Sequence, residues 1–400
     1  MHSFTVTTRE QIDMDVVLEE LAEGVEVYDL KDSASRCFGI LMVDANLEIS
    51  EFFGRLQSRL RFPVAGFTAV SLISEIRDDS ASAVLTVVCD ADYALQLTAP
   101  LTLSNCEQEM ETAYFKARSS LVADPKVVFL FAPLYPDVMM DDMIRGIPVS
   151  REIPIFGGIA SDNQLDGTMN MLYKGELCPE QSILVLLGGH IEPVFEVVNA
   201  QTMYSEKKGL ITQSESGFIN RVGGRTFKDF MEYCGLRTDE NYQTGQIMTT
   251  YATNPVKIIM NGEDDDGVPV VHNIFDLDRE KGSIFMAARV PEGAEVSICH
   301  LKRDNIVTST QDCIERLADK IKANEAHGAR YSMILAVSCG GRYFVITGNN
   351  NIEREILNSR LPERMSIAGF YASGEICPTS VAQSAAVNRS HHSSLVLCAF

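Results

Sequence analysis

The residues best suited to chemistry lie in two short segments near the carboxyl terminus. Ser338-Cys339-Gly340-Gly341-Arg342 follows one apolar run, and Tyr371-Ala372-Ser373-Gly374-Glu375 follows another. Glycines leave backbone N–H groups accessible, the Arg342 guanidinium suits a carboxylate or a phosphate, and Glu375 suits an ammonium group. The pattern predicts a site for a small zwitterion whose ligand-binding residues are Cys339, Gly340, Gly341, Arg342, Tyr371, Gly374 and Glu375.

Two alternatives stay open at this point. Arg342 and Glu375 fit a structural ion pair equally well, and Cys339 invites an enzyme hypothesis in which it is a nucleophile and His391 or His392 is its base. A cysteine after an apolar strand is usually inert, however. The sequence also lacks the P-loop, GxGxxG, HExxH and GxSxG motifs. We therefore expect a binding protein that is not an enzyme.

The histidines provide the candidate ligands for a metal or for haem iron. His190 follows an apolar run, and His391-His392 precedes the last one. Imidazole binds both kinds of centre, but a histidine at a strand end is more often only hydrogen-bonded. There is no CxxCH haem attachment and no cysteine and histidine spacing typical of zinc. No cofactor is certain, and haem stays open.

A phrase that occurs three times indicates the elements that position these residues. An apolar entry followed by glycine recurs within 62–69, 153–160 and 365–372. Each copy follows an apolar run and an amphipathic stretch, and each leads through polar residues to a further apolar run. A helix between buried strands is typical of a crossover in a layered sheet. We expect an α/β fold with mixed α/β and α+β layers, built from repeated strand-helix-strand-strand units in two regions.

The boundaries follow from composition and from the copies of the phrase. Residues 1–30 form an acidic lead-in with a short amphipathic helix. Residues 31–236 form an α/β region with the first and second copies, and a polar linker follows. Residues 247–400 form the second region, in which a long helix is predicted over 310–325 and the third copy comes last.

Composition bounds the class of partner and the compartment. The net charge is −21, from 55 acidic and 34 basic residues, which argues against nucleic acid and against an anionic membrane surface. No apolar run approaches the roughly 20 residues of a membrane helix, and the amino terminus does not resemble a secretory signal. We expect a cytoplasmic protein without membrane insertion, whose ten scattered cysteines are reduced.

The motifs together resemble the FIST family, named for F-box and intracellular signal transduction. The segment 155–162 resembles the glycine motif of the FIST N region, and 212–224 resembles its turn before a helix. The segments 290–293, 338–342 and 367–376 are similar to motifs of the FIST C region. The resemblance covers roughly residues 30–400.

The resemblance implies a sensory module that binds a small ligand, an amino acid or similar, and passes its signal to a separate protein. The implied partners are a histidine kinase or a cyclic-di-GMP enzyme, because neither an F-box nor an output segment is recognised in this sequence. Some bacterial members bind haem and sense nitric oxide, which supplies the alternative function. The resemblance assigns no histidine of this chain to haem.

Overall fold

The computed structural model describes residues 1–30, 34–76, 81–135, 137–161, 170–238, 252–260, 267–346, 351–360, 365–382 and 385–400, with the backbone alone at 380–382. Most of the predicted linker after residue 236 lies outside the described residues. In the part of the chain that the structure describes, no helix combines the length and apolar character needed to cross a membrane.

Most of the α-helices fall where the apolar periodicity predicts them, but the helix over Gly340–Val345 was not predicted. In the described residues they are α1 (Met14–Glu26), α2 (Phe52–Arg59), α3 (Cys106–Arg118), α4 (Met140–Gly146), α5 (Phe227–Cys234), α6 (Arg303–Glu325), α7 (Gly340–Val345) and α8 (Ile352–Arg360). Helix α6 begins seven residues before its predicted start at Thr310. The extension is stabilised by Ile306, which is fully buried in an otherwise polar first part of the helix.

The strands outnumber the helices and often follow one another directly in the described chain. They are β1 (His2–Thr8), β2 (Cys37–Asp44), β3 (Val64–Ala69), β4 (Leu72–Ile73), β5 (Ala83–Cys89), β6 (Asp92–Leu97), β7 (Pro125–Ala132), β8 (Ile155–Ile159), β9 (Met171–Tyr173), β10 (Glu176–Leu177), β11 (Ile183–Gly188), β12 (Val194–Asn199), β13 (Gln201–Glu215), β14 (Phe218–Val222), β15 (Arg225–Thr226), β16 (Val256–Ile259), β17 (Val270–His272), β18 (Asp276–Asp278), β19 (Ser283–Phe285), β20 (Glu295–Leu301), β21 (Met333–Cys339), β22 (Ser366–Ala372), β23 (Gly374–Ala382), β24 (Ala385–His391) and β25 (Ser394–Ala399). The fold is mixed α/β, as the sequence predicts.

The strands form four sheets, and two of these combine strands from the amino-terminal and the carboxyl-terminal parts of the chain. Their orders are β1-β5-β2-β3-β9-β10, β24-β23-β8-β7-β11-β6, β12-β25-β21-β22-β4 and β17-β16-β20-β13-β14-β19-β18, with β15 paired to β14. Strand β4 joins β22, β8 joins β23 and β12 joins β25. The amino-terminal and carboxyl-terminal regions are therefore connected by backbone hydrogen bonds.

The three glycine phrases lie on strands with one common arrangement. Strands β3, β8 and β22 run parallel to β2, β7 and β21, while β5, β11 and β25 pair antiparallel on the other side. A Cβ atom on Gly66, Gly157 or Gly369 would stand 1.9 Å from a carbonyl oxygen of the neighbouring strand. Glycine is needed at these positions because no larger residue allows the two backbones to approach so closely.

The core lies where the three sheets meet. Phe67, Phe131 and Phe370 come from three different sheets, and the ring of Phe67 lies 4.8 Å from that of Phe131 and 4.4 Å from that of Phe370. All three side chains are almost completely buried. Aromatic packing between the sheets fixes the strand ends that carry the predicted site.

The expectation that every cysteine is reduced is wrong for one pair. Cys37 and Cys89 are directly opposite each other on the antiparallel strands β2 and β5, and they form a disulfide. The other eight cysteines are free and buried, Cys339 among them. Strand register brings the bonded pair together across 52 residues, which the scattered spacing does not reveal.

Candidate functional site

The predicted site residues lie at neighbouring strand ends. Cys339 ends β21, Gly340, Gly341 and Arg342 open α7, Tyr371 lies on β22, and Gly374 and Glu375 open β23. Strands β21 and β22 are parallel, so their carboxyl ends meet at one edge of the sheet, where α/β proteins place ligands. The structure thus brings all seven residues to one end of the carboxyl-terminal unit.

Arg342 forms a buried ion pair within the protein. Its Nη2 and Nε donate to Glu353 Oε1 at 2.7 and 3.1 Å, and both side chains are completely buried. Nη2 also donates to Thr310 Oγ1 at 3.0 Å, and Ser338 Oγ donates to Glu353 Oε2 at 2.9 Å. The geometry therefore favours the structural ion pair, but the acidic partner is Glu353 and not Glu375.

A second buried arginine, which the sequence reasoning missed, lies beside this pair. Arg354 Nε donates to the Leu72 carbonyl at 2.7 Å, its Nη2 donates to Ser71 Oγ, and its guanidinium carbon is 5.5 Å from the centre of the Tyr371 ring. Burial and the nearby Glu353 carboxylate raise the pKa of the Tyr371 phenol well above its ordinary value. Tyr371 is therefore a neutral member of the packed cluster.

Cys339 and Glu375 form the centre of a polar group on one face of β23. Cys339 Sγ accepts from the backbone N–H of Gly341 at 3.4 Å and from Asn273 Nδ2 at 3.5 Å, and Glu375 Oε2 accepts from the backbone N–H of Ser394 at 3.2 Å. Both side chains are buried, and burial raises the pKa of the Cys339 thiol and that of the Glu375 carboxyl well above their ordinary values. Burial thus disfavours a charge on either group.

Three histidines lie around the turn between β24 and β25. His272 Nδ1 and His392 Nδ1 are hydrogen-bonded at 3.0 Å, and His391 Nε2 donates to the Cys377 carbonyl at 3.2 Å. Burial lowers the pKa of His272 to about 3 and that of His391 to about 4, and burial with the neighbouring imidazoles lowers that of His392 well below its ordinary value. His190 is exposed beyond the end of β11 and does not join this group.

His272 and Asn273 enter the cluster from β17, about 120 residues before the turn that they contact. Besides the His272–His392 contact, Ser393 Oγ donates to Asn273 Oδ1 at 2.5 Å. The sequence predicts a strand here but gives no sign that its last residues meet the 391–394 segment. Only the pairing of distant strands reveals these two members of the site.

The site contains a concentration of buried polar atoms without partners. In the described residues these include His272 Nε2, His391 Nδ1, His392 Nε2 and Arg342 Nη1. Ser393 adopts a left-handed backbone conformation, with φ of 57°. Buried polar groups and left-handed backbone at residues other than glycine are costly, and they concentrate at functional sites.

The residues around the histidines do not fit a metal or haem. No group of three or more histidine, cysteine or acidic side chains is arranged for a metal ion anywhere in the described ranges. The cavity that His392 lines has a volume of about 10 Å³, room for about one water. Three larger pockets, of about 410, 530 and 650 Å³, are lined by no histidine. Haem has no place beside His391 or His392 in this arrangement.

Family comparison identifies the chain. The FIST N domain matches residues 37–225 and the FIST C domain matches residues 230–378. The protein thus belongs to the FIST family, whose domains are associated with signal-transduction sensing. These matches confirm the resemblance found in the motifs. The region boundaries inferred from composition stay a prediction.

Other comparisons add little. Among curated proteins, no match is found. Among solved structures, cyanuric acid hydrolase is similar over 64% of this chain and 80% of its own, with 10% sequence identity and a TM-score of 0.29. At that TM-score nothing about the fold or the activity of this chain follows.

Proposed function

We propose that this protein is a non-catalytic sensor that binds a small molecule in the buried polar cluster and passes its signal to a separate protein. The observation that carries the proposal is the unpaired state of two buried imidazole nitrogens, His272 Nε2 and His392 Nε2. A polar ligand bound here would supply hydrogen bonds to these atoms. The family's association with sensing supports the same conclusion.

The state of Cys339 supports a binding role over an enzymatic one. A nucleophilic cysteine requires a thiolate, which forms where the thiol pKa is lowered by a cation or an adjacent base. Here burial and the Glu375 carboxyl raise that pKa, and the sulfur accepts hydrogen bonds from the Gly341 backbone N–H and from Asn273 Nδ2. His272 and His392 are bonded to each other instead.

A thermal-shift screen tests ligand binding directly. Amino acids, organic acids, uncharged small molecules and haem are added separately to the purified protein. A ligand at 100 times its dissociation constant adds about 2.7 kcal/mol to the free energy of unfolding. At least one compound is expected to raise the melting temperature, and a screen in which none does contradicts the proposal.

The variant Cys339→Ser separates the sensor from the enzyme. It retains the size of the side chain and a weak donor, so the sensor is expected to bind its ligand with similar affinity. If the bound compound is instead consumed by the wild-type protein and left intact by Cys339→Ser, the enzyme hypothesis replaces the sensor.

The output partner is proposed from the family alone. A histidine kinase or a cyclic-di-GMP enzyme is the expected class. Its activity, measured with and without the sensor, is expected to change when the ligand found in the screen is added. An output that is the same for the empty and the occupied sensor contradicts this part of the proposal.

A further inference from the structure

A small cavity lies beside Gly374 at the start of β23. Consecutive residues of a strand point to opposite faces, so Gly374 faces this cavity while Glu375 faces Cys339. The cavity has a volume of about 10 Å³ and is lined mostly by apolar side chains, among them Met140, Met143 and Ile159, with Ser373 and His392 as polar members. None of its lining residues carries a carboxylate, an ammonium or a guanidinium group.

His392 is positioned to present one ring nitrogen to this cavity. Its Nδ1 is occupied by His272, and its Nε2 has no partner although the side chain is completely buried. A Cβ atom on Gly374 would stand 2.9 Å from His392 Nε2 and 2.5 Å from Met140 Cε. The unpaired nitrogen therefore lies beside Gly374 and Met140, at the wall of the cavity.

The His272–His392 contact determines the hydrogen-bonding character of that nitrogen. In a neutral pair one Nδ1 donates and the other accepts, so one Nε2 is an acceptor and the other carries a proton. His392 Nε2 thus serves as a donor or as an acceptor, and a shift of tautomer in both rings interconverts the two states. The cavity offers one adaptable hydrogen-bonding group within an apolar lining.

Nothing around this nitrogen compensates for a charge. The adjacent carboxylate on α4, Asp141, accepts from the Arg289 backbone N–H at 2.9 Å and from Ser390 Oγ at 2.7 Å. The neighbouring imidazoles of His272 and His391 disfavour a further positive charge. Burying an ion without a counter-charge is far more costly than burying a neutral polar group that finds a hydrogen bond.

We propose that the cavity beside Gly374, Ser373 and His392 is the ligand subsite of this sensor, and that it accepts a small uncharged molecule with an apolar body and one hydrogen-bonding group. The inference rests on the proposed sensory function and deepens it. It departs from the zwitterion that the sequence suggests, because Arg342 is paired with Glu353 and the cavity lacks charged side chains.

Entry of anything larger than water requires the lining to move. Met140 and Met143 are unbranched and adaptable, so their displacement costs less than that of a branched or aromatic side chain. Ala287, also in the lining, has a left-handed backbone with φ of 51°, which is unfavourable for a residue with a side chain. The wall thus contains both flexible groups and a strained one.

The test compares three probes that share a carbon skeleton and differ in charge: propionamide, propionate and propylammonium. Binding to the full-length protein is followed through the NMR signals of ¹³C-labelled methionine methyl groups, assigned with Met140→Leu and Met143→Leu. Propionamide is expected to shift the Met140 and Met143 signals saturably. The two ions are expected to bind at least about tenfold more weakly, since they lose their hydration without gaining a counter-charge.

Gly374→Ala supplies the matched variant. Its Cβ occupies the space beside His392 Nε2, so propionamide binding is expected to weaken at least about tenfold. Gly54→Ala, on α2 and with a single backbone oxygen near its Cβ at 3.3 Å, is the control and is expected to bind as the wild type does. If Gly374→Ala does not fold, the wild-type comparison of the three probes decides alone.

Two outcomes overturn the inference. If propionate or propylammonium binds as tightly as propionamide, the ligand is not restricted to uncharged molecules, although the sensor proposal survives. If no probe shifts the Met140 and Met143 signals, the cavity holds water only and is not a ligand subsite. Failure of the sensor itself is recognised separately, by a broad thermal-shift screen in which no compound stabilises the protein.

Discussion

The buried pair of Arg342 and Glu353 allows a quantitative test of what holds the site together. Glu353 accepts four hydrogen bonds, two from Arg342 and one each from Thr310 and Ser338, at distances between 2.7 and 3.1 Å. Neither charge touches solvent. Replacing one partner leaves the other charge buried and uncompensated, which typically costs about 3–5 kcal/mol. We therefore expect Arg342→Met and Glu353→Met each to lower the free energy of unfolding by about 3–5 kcal/mol.

The double variant distinguishes a paired charge from two independent contributions. With methionine at both positions no buried charge is left unpaired. The stability lost by the double variant is therefore expected to be smaller than the sum of the two single losses by more than about 2 kcal/mol. Urea unfolding measures all three variants. The loss in each variant is expected to lower its midpoint by that loss divided by the measured slope.

Two results would refute this reasoning. Losses below about 1 kcal/mol in the single variants, or strictly additive losses in the double variant, would show that the pair contributes little as a pair. Unchanged stability in Arg342→Met combined with a large loss of affinity for a carboxylate ligand would return Arg342 to the ligand-binding role that the sequence suggested.

Three further predictions concern the phrase glycines, the thiol and the histidines. Gly369→Ala places a Cβ 1.9 Å from the Ala336 carbonyl oxygen and is expected to lower the free energy of unfolding in urea by about 3 kcal/mol or more. The control Gly54→Ala is expected to change the stability little. Equal losses in the two variants would contradict the close-packing argument. Cys339 is expected to resist iodoacetamide in the folded protein at pH 8, and rapid alkylation detected by peptide mass spectrometry would disprove its buried, protonated state. The imidazole NMR signals of His272 and His391 are expected to stay constant from pH 8 to 5, because their folded pKa values of about 3 and 4 lie below the range, and a midpoint near 6.5 would contradict their burial. The unfolded pKa of both histidines is about 6.5, so in this range they take up protons only on unfolding, and the free energy of unfolding falls as the pH drops below 6.5. The buried carboxyl of Glu375 has a raised pKa and therefore changes the free energy of unfolding in the opposite direction.

The sequence predicts the elements of this fold well because their signals are local. The apolar runs and amphipathic stretches give the strands and helices of all three glycine phrases, and the phrase itself marks the strands that need glycine. The cluster at the end of β21 and β22 was also predictable, since both strands of a parallel pair end at the same edge.

The partners within the cluster were not predictable, because they depend on register and on side-chain direction. Arg342 has an acidic residue 11 positions later and another 33 positions later, and the sequence does not say which one it meets. Arg342 pairs with Glu353 because α8 directs this carboxylate inward, against α6 and the end of β21. The same limit applies to Cys37 and Cys89, which are brought together only by the register of β2 and β5.

The turn between β24 and β25 connects the two faces of the site. His392 precedes Ser393 and lines the apolar cavity, while the backbone N–H of Ser394 binds Glu375 on the other face. The Ser393 carbonyl accepts from Gln201 Nε2 at 2.9 Å, and Gln201 begins the long strand β13. A ligand that displaces His392 must therefore move a turn that also contacts Glu375 and β13. Because most side chains of β13 are exposed, this strand offers a route by which occupancy of the buried cavity reaches the protein surface.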